Sequence, residues 1–236
     1  MWPIRKRFCR MNYSQSLKLC GLVVATLAPS WAAVTPAEIL ARMDAAAPKF
    51  EQMSADVQRT TYTAVIDDTS VESGTVRMRR VPTGEIQGLV AMSKPDAKFY
   101  SFERRTLRIY TPKINTIQVF DLGQHGEQLD RFLSIGFGTS GKELAKDYEV
   151  EVLADNNVPH TTRVKLTPRD PEVKKYLTRI DLWITDANYP VQEKLWEPSK
   201  DTVLVNYSSV QLNPHLGADA FALHTAPGAK TEYPQR

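Results

Sequence analysis

The sequence predicts a single, mainly β domain whose antiparallel sheet curls into a barrel or half-barrel. The chain has 236 residues, 42% of them apolar, which is enough to bury one full core. From about residue 53 onward, short segments alternate apolar and polar residues between turn residues, the pattern of strands with one solvated face. About eleven such strands in one domain are too many for a flat sheet, so we expect the sheet to curl.

Residues 1–32 have the composition of a secretory signal peptide. Five basic residues and no acidic residue precede the apolar segment 19–28. After this segment, Ser30 and Ala32 are the small residues that a signal peptidase cleavage site requires. The apolar segment is too short to span a bilayer as a stable anchor. The alternative to a signal peptide is that these residues form a buried N-terminal helix. We expect cleavage near Ala32, export to the periplasm, and a mature domain of residues 33–236. Translation starts at Met1 or Met11.

Removal of this segment changes which functions the composition allows. The remaining chain has 25 basic and 27 acidic residues, a net charge of −2, which does not favour nucleic-acid binding. Both cysteines, Cys9 and Cys20, leave with the signal, so no disulfide, thiolate metal site or cysteine nucleophile remains. The four histidines lack metal-ligand spacing, and no serine stands in a G-x-S-x-G elbow. We expect no cofactor, no metal and no enzymatic activity; an exported hydrolase with an unidentified carboxylate site is the alternative.

The mature chain begins with a predicted helix. Thr35 is a good N-cap, Pro36 suits the first helical position, and Glu38 completes a capping box. Ile39, Leu40 and Met43 form an apolar stripe, and Pro48 ends the helix.

Two groups of predicted strands follow, separated by a helical interruption over residues 127–147. The segments with strand patterns are 54–68, 73–81, 84–94, 97–103, 106–112, 115–123, 149–155, 161–168, 178–186, 190–198 and 201–213. Residues 220–227 are a possible last strand, and the tail beyond Gly228 is predicted to be loose.

Alternation along these strands identifies the side chains that face the inside of the curled sheet. They either fill a core or line a cavity for an apolar ligand beneath a helical cap, and the pattern allows both. The candidates are Val76, Met78, Val90, Met92, Tyr100, Phe102, Leu107, Ile109, Ile117 and Val119.

The glycines of the segment SIGFGTSGKEL, residues 134–144, imitate a nucleotide-binding loop. Gly136, Gly138 and Gly141 have the G-x-G-x-x-G spacing, and Lys142 follows as in a P-loop. However, the preceding residues are predicted to be helical rather than a strand, and Glu143 stands where a P-loop needs a hydroxyl. We therefore expect the glycines to turn the chain between two short helices.

The order of motifs along the chain resembles that of the periplasmic outer-membrane lipoprotein carrier family, the LolA-like sorting proteins. The resemblance covers about residues 36–228. It rests on the helix AEILARMD, the strand SGTVRMRR, the segment MSKPDAKFYSFERRTLRIYTP, and the later segments DRFLSIGFGTSGKELAKDYEV, VKLTPRDPEVKKY and IDLWITDANYPVQEKLWEP.

This resemblance implies a half-open antiparallel β-barrel with a helical lid. Its cavity would shield the acyl chains of lipoproteins as a monomeric carrier moves them from an inner-membrane release complex to an outer-membrane acceptor. A lipid- or lipoprotein-sensing regulatory domain of the same fold is the alternative. The lid residues implied are Leu40, Met43, Phe132, Leu133 and Phe137.

The chain departs from the family pattern at two places. Arg80 is the nearest match to a functional arginine that directly precedes a proline in the family, but here Val81 stands between Arg80 and Pro82. Gly88 and Val90 occupy the positions of large aromatic residues, which predicts a wider or differently shaped cavity.

Overall fold

The computed structural model describes residues 34–123 and 135–235, which form one large sheet with short helices. Its twelve strands are β1 (Gln52–Thr63), β2 (Asp68–Arg80), β3 (Ile86–Lys94), β4 (Lys98–Glu103), β5 (Thr106–Thr111), β6 (Thr116–Asp121), β7 (Tyr148–Leu153), β8 (Thr161–Pro168), β9 (Arg179–Thr185), β10 (Pro190–Trp196), β11 (Thr202–Leu212) and β12 (Lys230–Glu232). Their order across the sheet is β12-β6-β5-β4-β3-β2-β1-β11-β10-β9-β8-β7. All neighbours are antiparallel except β12 and β6, which are parallel.

The predicted fold class is confirmed: the sheet is a half-open, mainly antiparallel barrel with a helical lid. In the described part of the chain, the end strands β12 and β7 do not pair with each other, so the barrel stays open there. The predicted last strand at residues 220–227 is wrong. A 3-10 turn occupies Ala218–Phe221, and the last strand is β12, in the tail that the sequence predicted to be loose.

In the described residues, three short helices accompany the sheet: α1 (Pro36–Ala46), α2 (Gly141–Asp147) and α3 (Pro171–Lys174). The predicted capping box of α1 is present, because the Thr35 hydroxyl accepts from the Glu38 amide and the Glu38 carboxylate accepts from the Thr35 amide. Ser140 and Glu143 form the same box at α2. No helix in residues 34–123 or 135–235 is long and apolar enough to cross a membrane.

Helices α1 and α2 pack together against β8 and β9. Gly141 allows this contact, because a Cβ atom there would lie 2.1 Å from the carbonyl oxygen of Leu40. The resulting core consists of Ile39, Met43, Ile135, Leu144, Val164, Leu166, Leu177, Ile180, Leu182 and Ile184.

The C-terminal segment covers the convex side of the sheet over β2 to β6. Phe221 is buried there beneath the Arg79 guanidinium, 4.6 Å from its ring centroid. The Tyr110 hydroxyl accepts a hydrogen bond from the Ala226 amide, and β12 extends the sheet beside β6. This part of the sheet is therefore covered on both faces, and its apolar residues on the convex side are not solvent-facing.

Candidate functional site

The concave face of the sheet carries an apolar cavity of about 230 Å³, here called the inner cavity. Strands β2 to β4 form one wall, and strands β1, β10 and β11 form the other. The lining residues are Val57, Arg59, Val76, Met78, Val90, Met92, Phe102, Glu193, Leu195, Val203, Val205 and Tyr207.

Strand register places most of the predicted inward-facing residues on this concave face. Five of them line the inner cavity: Val76, Met78, Val90, Met92 and Phe102. Tyr100 and Ile109 continue the row that starts at Val76 and Val90, and Leu107 lies opposite Phe102. Gly88 leaves room for the Phe102 ring, since a Cβ atom there would lie 2.5 Å from that ring.

Ile117 and Val119 lie on the opposite, convex face. Ile117 pairs with Tyr110 and Val119 with Arg108, so Gln118 and Phe120 are the β6 residues that point to the concave side. Their inward orientation was therefore predicted wrongly. The reason is that the convex side is also packed here: Tyr110, the neighbour of Ile117 in register, is buried and accepts a hydrogen bond from the Ala226 amide of the C-terminal segment.

The wall formed by β1, β10 and β11 was not among the sequence candidates. Val203, Val205 and Tyr207 occupy every second position of β11, and this period of two was the sequence signal that could have identified them as inward-facing. Glu193 lies in the polar segment PVQEKLWEP, which gives no sign that its side chain faces inward.

The glycine segment inserts one aromatic side chain into the concave side. Phe137 is only 2% exposed, and its ring meets the Tyr207 ring edge-on, with centroids 5.2 Å apart. Gly136 and Gly138 flank it with φ angles of +80° and +84°, and added Cβ atoms would collide with Pro190 and Phe50. The glycines thus form a tight turn around Phe137. The helix predicted before this turn spans residues 127–137. Its residues 127–134, with Phe132 and Leu133, lie outside the described residues, and its last three residues belong to a turn rather than a helix.

A surface cleft of about 330 Å³, here called the outer groove, lies on the other side of Phe137. It is bordered by Met43 of α1, Phe50, Tyr189 and the turn that carries Phe137. Leu40, the other predicted α1 residue, packs against the α1–α2 core instead. Phe137 borders the outer groove and also packs edge-on against Tyr207, which lines the inner cavity.

Arg80 ties two lid segments to the end of β2. Its guanidinium donates a hydrogen bond to the Gly138 carbonyl at 2.5 Å and lies 3.4 Å from the Ala47 carbonyl after α1. It also lies 5.9 Å from the Phe50 ring centroid. The intervening Val81 therefore does not keep Arg80 away from the lid.

Replacing Arg80 with leucine is expected to loosen the turn around Phe137. Loss of both contacts leaves the Gly138 carbonyl without its charged donor, at a cost of about 1–3 kcal/mol. Hydrogen–deuterium exchange should become faster in residues 135–140. Arg79→Leu is the matched control, because Arg79 covers Phe221 on the convex face. Equal exchange of residues 135–140 in both variants would show that Arg80 does not hold the lid.

The inner cavity contains one ion pair at its edge. Arg59 donates from Nε to Glu72 at 2.8 Å and makes a second, closer contact through Nη2. Its guanidinium is also 3.4 Å from the Tyr100 hydroxyl and stacks on that ring. The charge of Arg59 is therefore already balanced within the protein.

Glu193 is the second ionisable group of the cavity. It keeps some accessible surface because it faces the cavity, yet its carboxyl lies inside the barrel beside Val205, Leu182 and Tyr207. Burial raises the pKa of Glu193 to about 8, and a hydrogen bond with Tyr207 opposes this rise more weakly. Burial likewise raises the pKa of Tyr207 well above its ordinary value. Glu193 is thus mainly a neutral acid at pH 7 in the empty cavity.

Among the residues that the structure describes, no three His, Cys, Asp or Glu side chains are placed to hold a metal ion. The site offers instead an apolar, enclosed surface with a few polar groups, which is the chemistry of a binding cavity.

Comparison with solved structures gives the fold a name. The crystal structure of MucB superposes with a TM-score of 0.50 at 12% identity; the match covers 80% of this chain and 62% of the MucB chain. A LolA superfamily protein from Nitrosomonas europaea matches at 15% identity and a TM-score of 0.41, with 81% and 99% of the two chains covered. The fold is LolA-like.

The LolA-like fold is shared at low sequence identity. An uncharacterised conserved protein from Thermus thermophilus also matches, at 11% identity and a TM-score of 0.49 over 84% of this chain and 98% of that one. No protein-family model matches the sequence, and no curated protein matches it. At these identities the similarity concerns the fold, and the chemistry of the site must be argued from its own residues.

Proposed function

We propose that this protein is an exported, periplasmic carrier that binds the acyl chains of lipoproteins in the inner cavity and moves them toward the outer membrane. The observation that carries the proposal is the apolar cavity on the concave face, where Phe137 of the lid packs against the cavity residue Tyr207. An acyl chain gains about 0.8 kcal/mol for each CH₂ group removed from water, so such a cavity is a favourable place for it.

The inner cavity, as the structure describes it, is small for a ligand pocket. About 230 Å³ is below the range of about 300–1,000 Å³ that ligand pockets usually occupy. Displacing Phe137 would join the inner cavity to the outer groove and give an acyl chain a continuous path. A carrier needs this property, because it must hold its cargo in water and release it to an acceptor. The partners in this proposal are an inner-membrane release complex and an outer-membrane acceptor.

Filling the inner cavity tests the proposal directly. Val205→Trp places an indole in the centre of the β11 wall and is expected to weaken binding of a fluorescent acyl probe by about tenfold or more, which is about 1.4 kcal/mol. The control is Leu204→Trp, because Leu204 pairs with Lys194 on the opposite face of the same strand. Equal affinity in both variants would place the probe outside the cavity.

Native mass spectrometry of protein purified from its own host provides the second test. Co-purifying lipoprotein or acyl lipid, absent from Val205→Trp and present in Leu204→Trp, is the expected result. Protein that is consistently free of lipid, with no affinity for acyl probes, would refute the carrier function.

A regulatory sensor is the second candidate function. It is favoured by the likeness to MucB, whose structures include a complex with MucA from Pseudomonas aeruginosa. In the host, loss of a carrier should leave lipoproteins in the inner membrane, whereas loss of a sensor should first change transcription. Signal cleavage near Ala32, required by both functions, can be read from the N-terminus of the exported protein.

A further inference from the structure

Glu193 stands in the apolar wall of the inner cavity. It pairs across the sheet with Val205 on β11 and Leu182 on β9, and it lines the cavity together with Leu195 and Val203. Within residues 34–123 and 135–235, no lysine or arginine forms an ion pair with it. Lys194 and Asp181 belong to the other face of the sheet, because Lys194 pairs with Asp181 and Leu204 rather than with cavity residues.

The other polar groups that face Glu193 do not balance its charge. Tyr207 on β11 hydrogen-bonds with the carboxyl and remains a neutral phenol near pH 7. Arg59 on β1 is the one described cation that lines the cavity, and it is engaged by Glu72 of β2 and Tyr100 of β4. When Glu193 ionises, the cavity lining therefore gains one negative charge that none of the described side chains pairs with.

We propose that Glu193 recognises a protonated amine and that the inner cavity binds an amphiphile that carries an amine beside its apolar chain. The inference rests on the proposed function and adds the chemical class of the cargo's polar group. The apolar chain contacts the valine and methionine side chains, and the ammonium group donates a charge-assisted hydrogen bond to the Glu193 carboxylate.

Other classes of ligand stabilise the Glu193 carboxyl less well than an amine does. A plain hydrocarbon chain covers the carboxyl without adding to the hydrogen bond that Tyr207 makes, so the charged form of Glu193 stays disfavoured. An anionic amphiphile brings a second negative charge to a group that is already difficult to ionise. An ammonium group supplies both the hydrogen bonds and the charge, and it accounts for an acidic residue in this wall.

Proton balance gives the inference a second observable. The empty cavity holds Glu193 mainly as the neutral acid near pH 7, because burial raises its pKa to about 8. An arriving ammonium stabilises the carboxylate, so the carboxyl proton passes to the solvent. Binding of a protonated amine below pH 8 is therefore coupled to the release of up to one proton, whereas binding of an alcohol is not.

The experiment compares three twelve-carbon probes, dodecylamine, dodecanol and dodecanoate, on lipid-free wild-type protein at pH 6.5 and 7.5. Isothermal titration calorimetry in two buffers of different ionisation enthalpy measures affinity and proton release together. We expect dodecylamine to bind at least about tenfold more tightly than dodecanol and dodecanoate. We also expect proton release with dodecylamine only.

Glu193→Gln keeps the shape of the neutral acid and removes the ability to ionise. It should lose the preference for dodecylamine and the proton release while keeping its affinity for dodecanol. Glu197→Gln is the matched control, since Glu197 is exposed just after β10 and should behave as wild type. The comparison of the three probes on wild-type protein does not depend on either variant. The amine specificity can therefore be tested even if Glu193→Gln fails to fold.

The outcomes separate this inference from the proposed function. If dodecanol and dodecanoate bind as tightly as dodecylamine, the amine specificity is wrong and the carrier function stands. If no probe binds the wild type, the carrier function fails and the inference with it.

Two natural sources of the amine are distinguished by matched probes: a lysolipid with an ethanolamine headgroup, and a dipalmitoyl lipopeptide with a free or an acetylated α-amine. A loss of affinity on acetylation identifies the amine of a lipidated N-terminus. Tighter binding of the lysolipid identifies a membrane aminolipid. Equal affinity of the free and acetylated lipopeptides, with no binding of the lysolipid, overturns the inference.

Discussion

Phe137→Ala is expected to lower the free energy of unfolding by about 3–5 kcal/mol and to open the inner cavity to the outer groove. Phe137 is almost fully buried and packs in one cluster with Phe50, Met53 and Met78. Its ring also supplies the edge-on contact with Tyr207. Removing it leaves a void that the flanking glycines, fixed against Pro190 and Phe50, cannot easily close.

The same substitution should change ligand exchange in a way that instability alone does not. Because the ring borders the outer groove and contacts Tyr207 of the inner cavity, its loss is expected to speed the uptake and release of a fluorescent acyl probe by about tenfold or more, measured by stopped flow. A slower or unchanged exchange rate would mean that ligands enter elsewhere.

Phe221→Ala is the control that separates these effects. Phe221 is as deeply buried as Phe137 but lies on the convex side beneath Arg79. We expect a similar loss of stability by chemical denaturation and no change in the exchange rate. If both variants exchange the probe equally fast, general loosening of the domain explains the result and Phe137 is not a gate.

Alternation along single strands was enough to predict one wall of the cavity. In β2 to β4 the concave face is apolar and the opposite positions include Arg77 and Ser101, so period two identified Val76, Val90 and Phe102 correctly as inward-facing. The same rule failed at β6. There the C-terminal segment packs on the convex side next to Tyr110 of β5, and Ile117 and Val119 are apolar on that outer face while Gln118 faces in.

The other wall depends on contacts between residues far apart in the sequence. Glu193 reaches the cavity because β10 pairs with β11 and β11 with β1, which brings it into one row with Val205 and Arg59. Within its own segment it is one polar residue among several. The position of Phe137 likewise follows from the close approach of Gly138 to Phe50, a tertiary contact that the glycine spacing alone does not specify. The sequence alone therefore predicted the barrel and part of the cavity lining. The positions of Phe137 and Glu193 could be identified only from the three-dimensional structure.

Glu193→Gln is expected to make the lipid-free protein more stable at pH 8 and above and to flatten the pH dependence of its stability. The ordinary pKa of a glutamate is 4.5, and burial raises that of Glu193 to about 8 in the folded state. Between these values the unfolded chain releases the proton while the folded protein keeps it. The free energy of unfolding therefore falls with rising pH, by up to about 1.4 kcal/mol per pH unit, until pH 8 is passed.

Chemical denaturation of lipid-free protein at intervals from pH 5 to pH 9 measures this difference. Wild type should lose stability relative to Glu193→Gln across the window, and the gap should level off above pH 8. Glu197→Gln should follow the wild-type curve, because Glu197 is exposed. Parallel curves for wild type and Glu193→Gln would show that the carboxyl is well solvated and that the cavity is wetter than its lining indicates.

Tyr207→Phe tests whether the side chains of the inner cavity determine the pKa of Glu193. The Tyr207 hydroxyl lowers the pKa of Glu193 through a hydrogen bond, so its removal should raise that pKa further and extend the falling part of the stability curve above pH 8. Other perturbed groups do not interfere in this window, since burial raises the pKa of Tyr148 to about 12. A tightly bound amine should have the opposite effect, because it stabilises the carboxylate in the folded state. Above pH 7, Glu193 would then lower the stability of the empty carrier. In the same pH range it would give the amine-bound carrier its largest gain in stability.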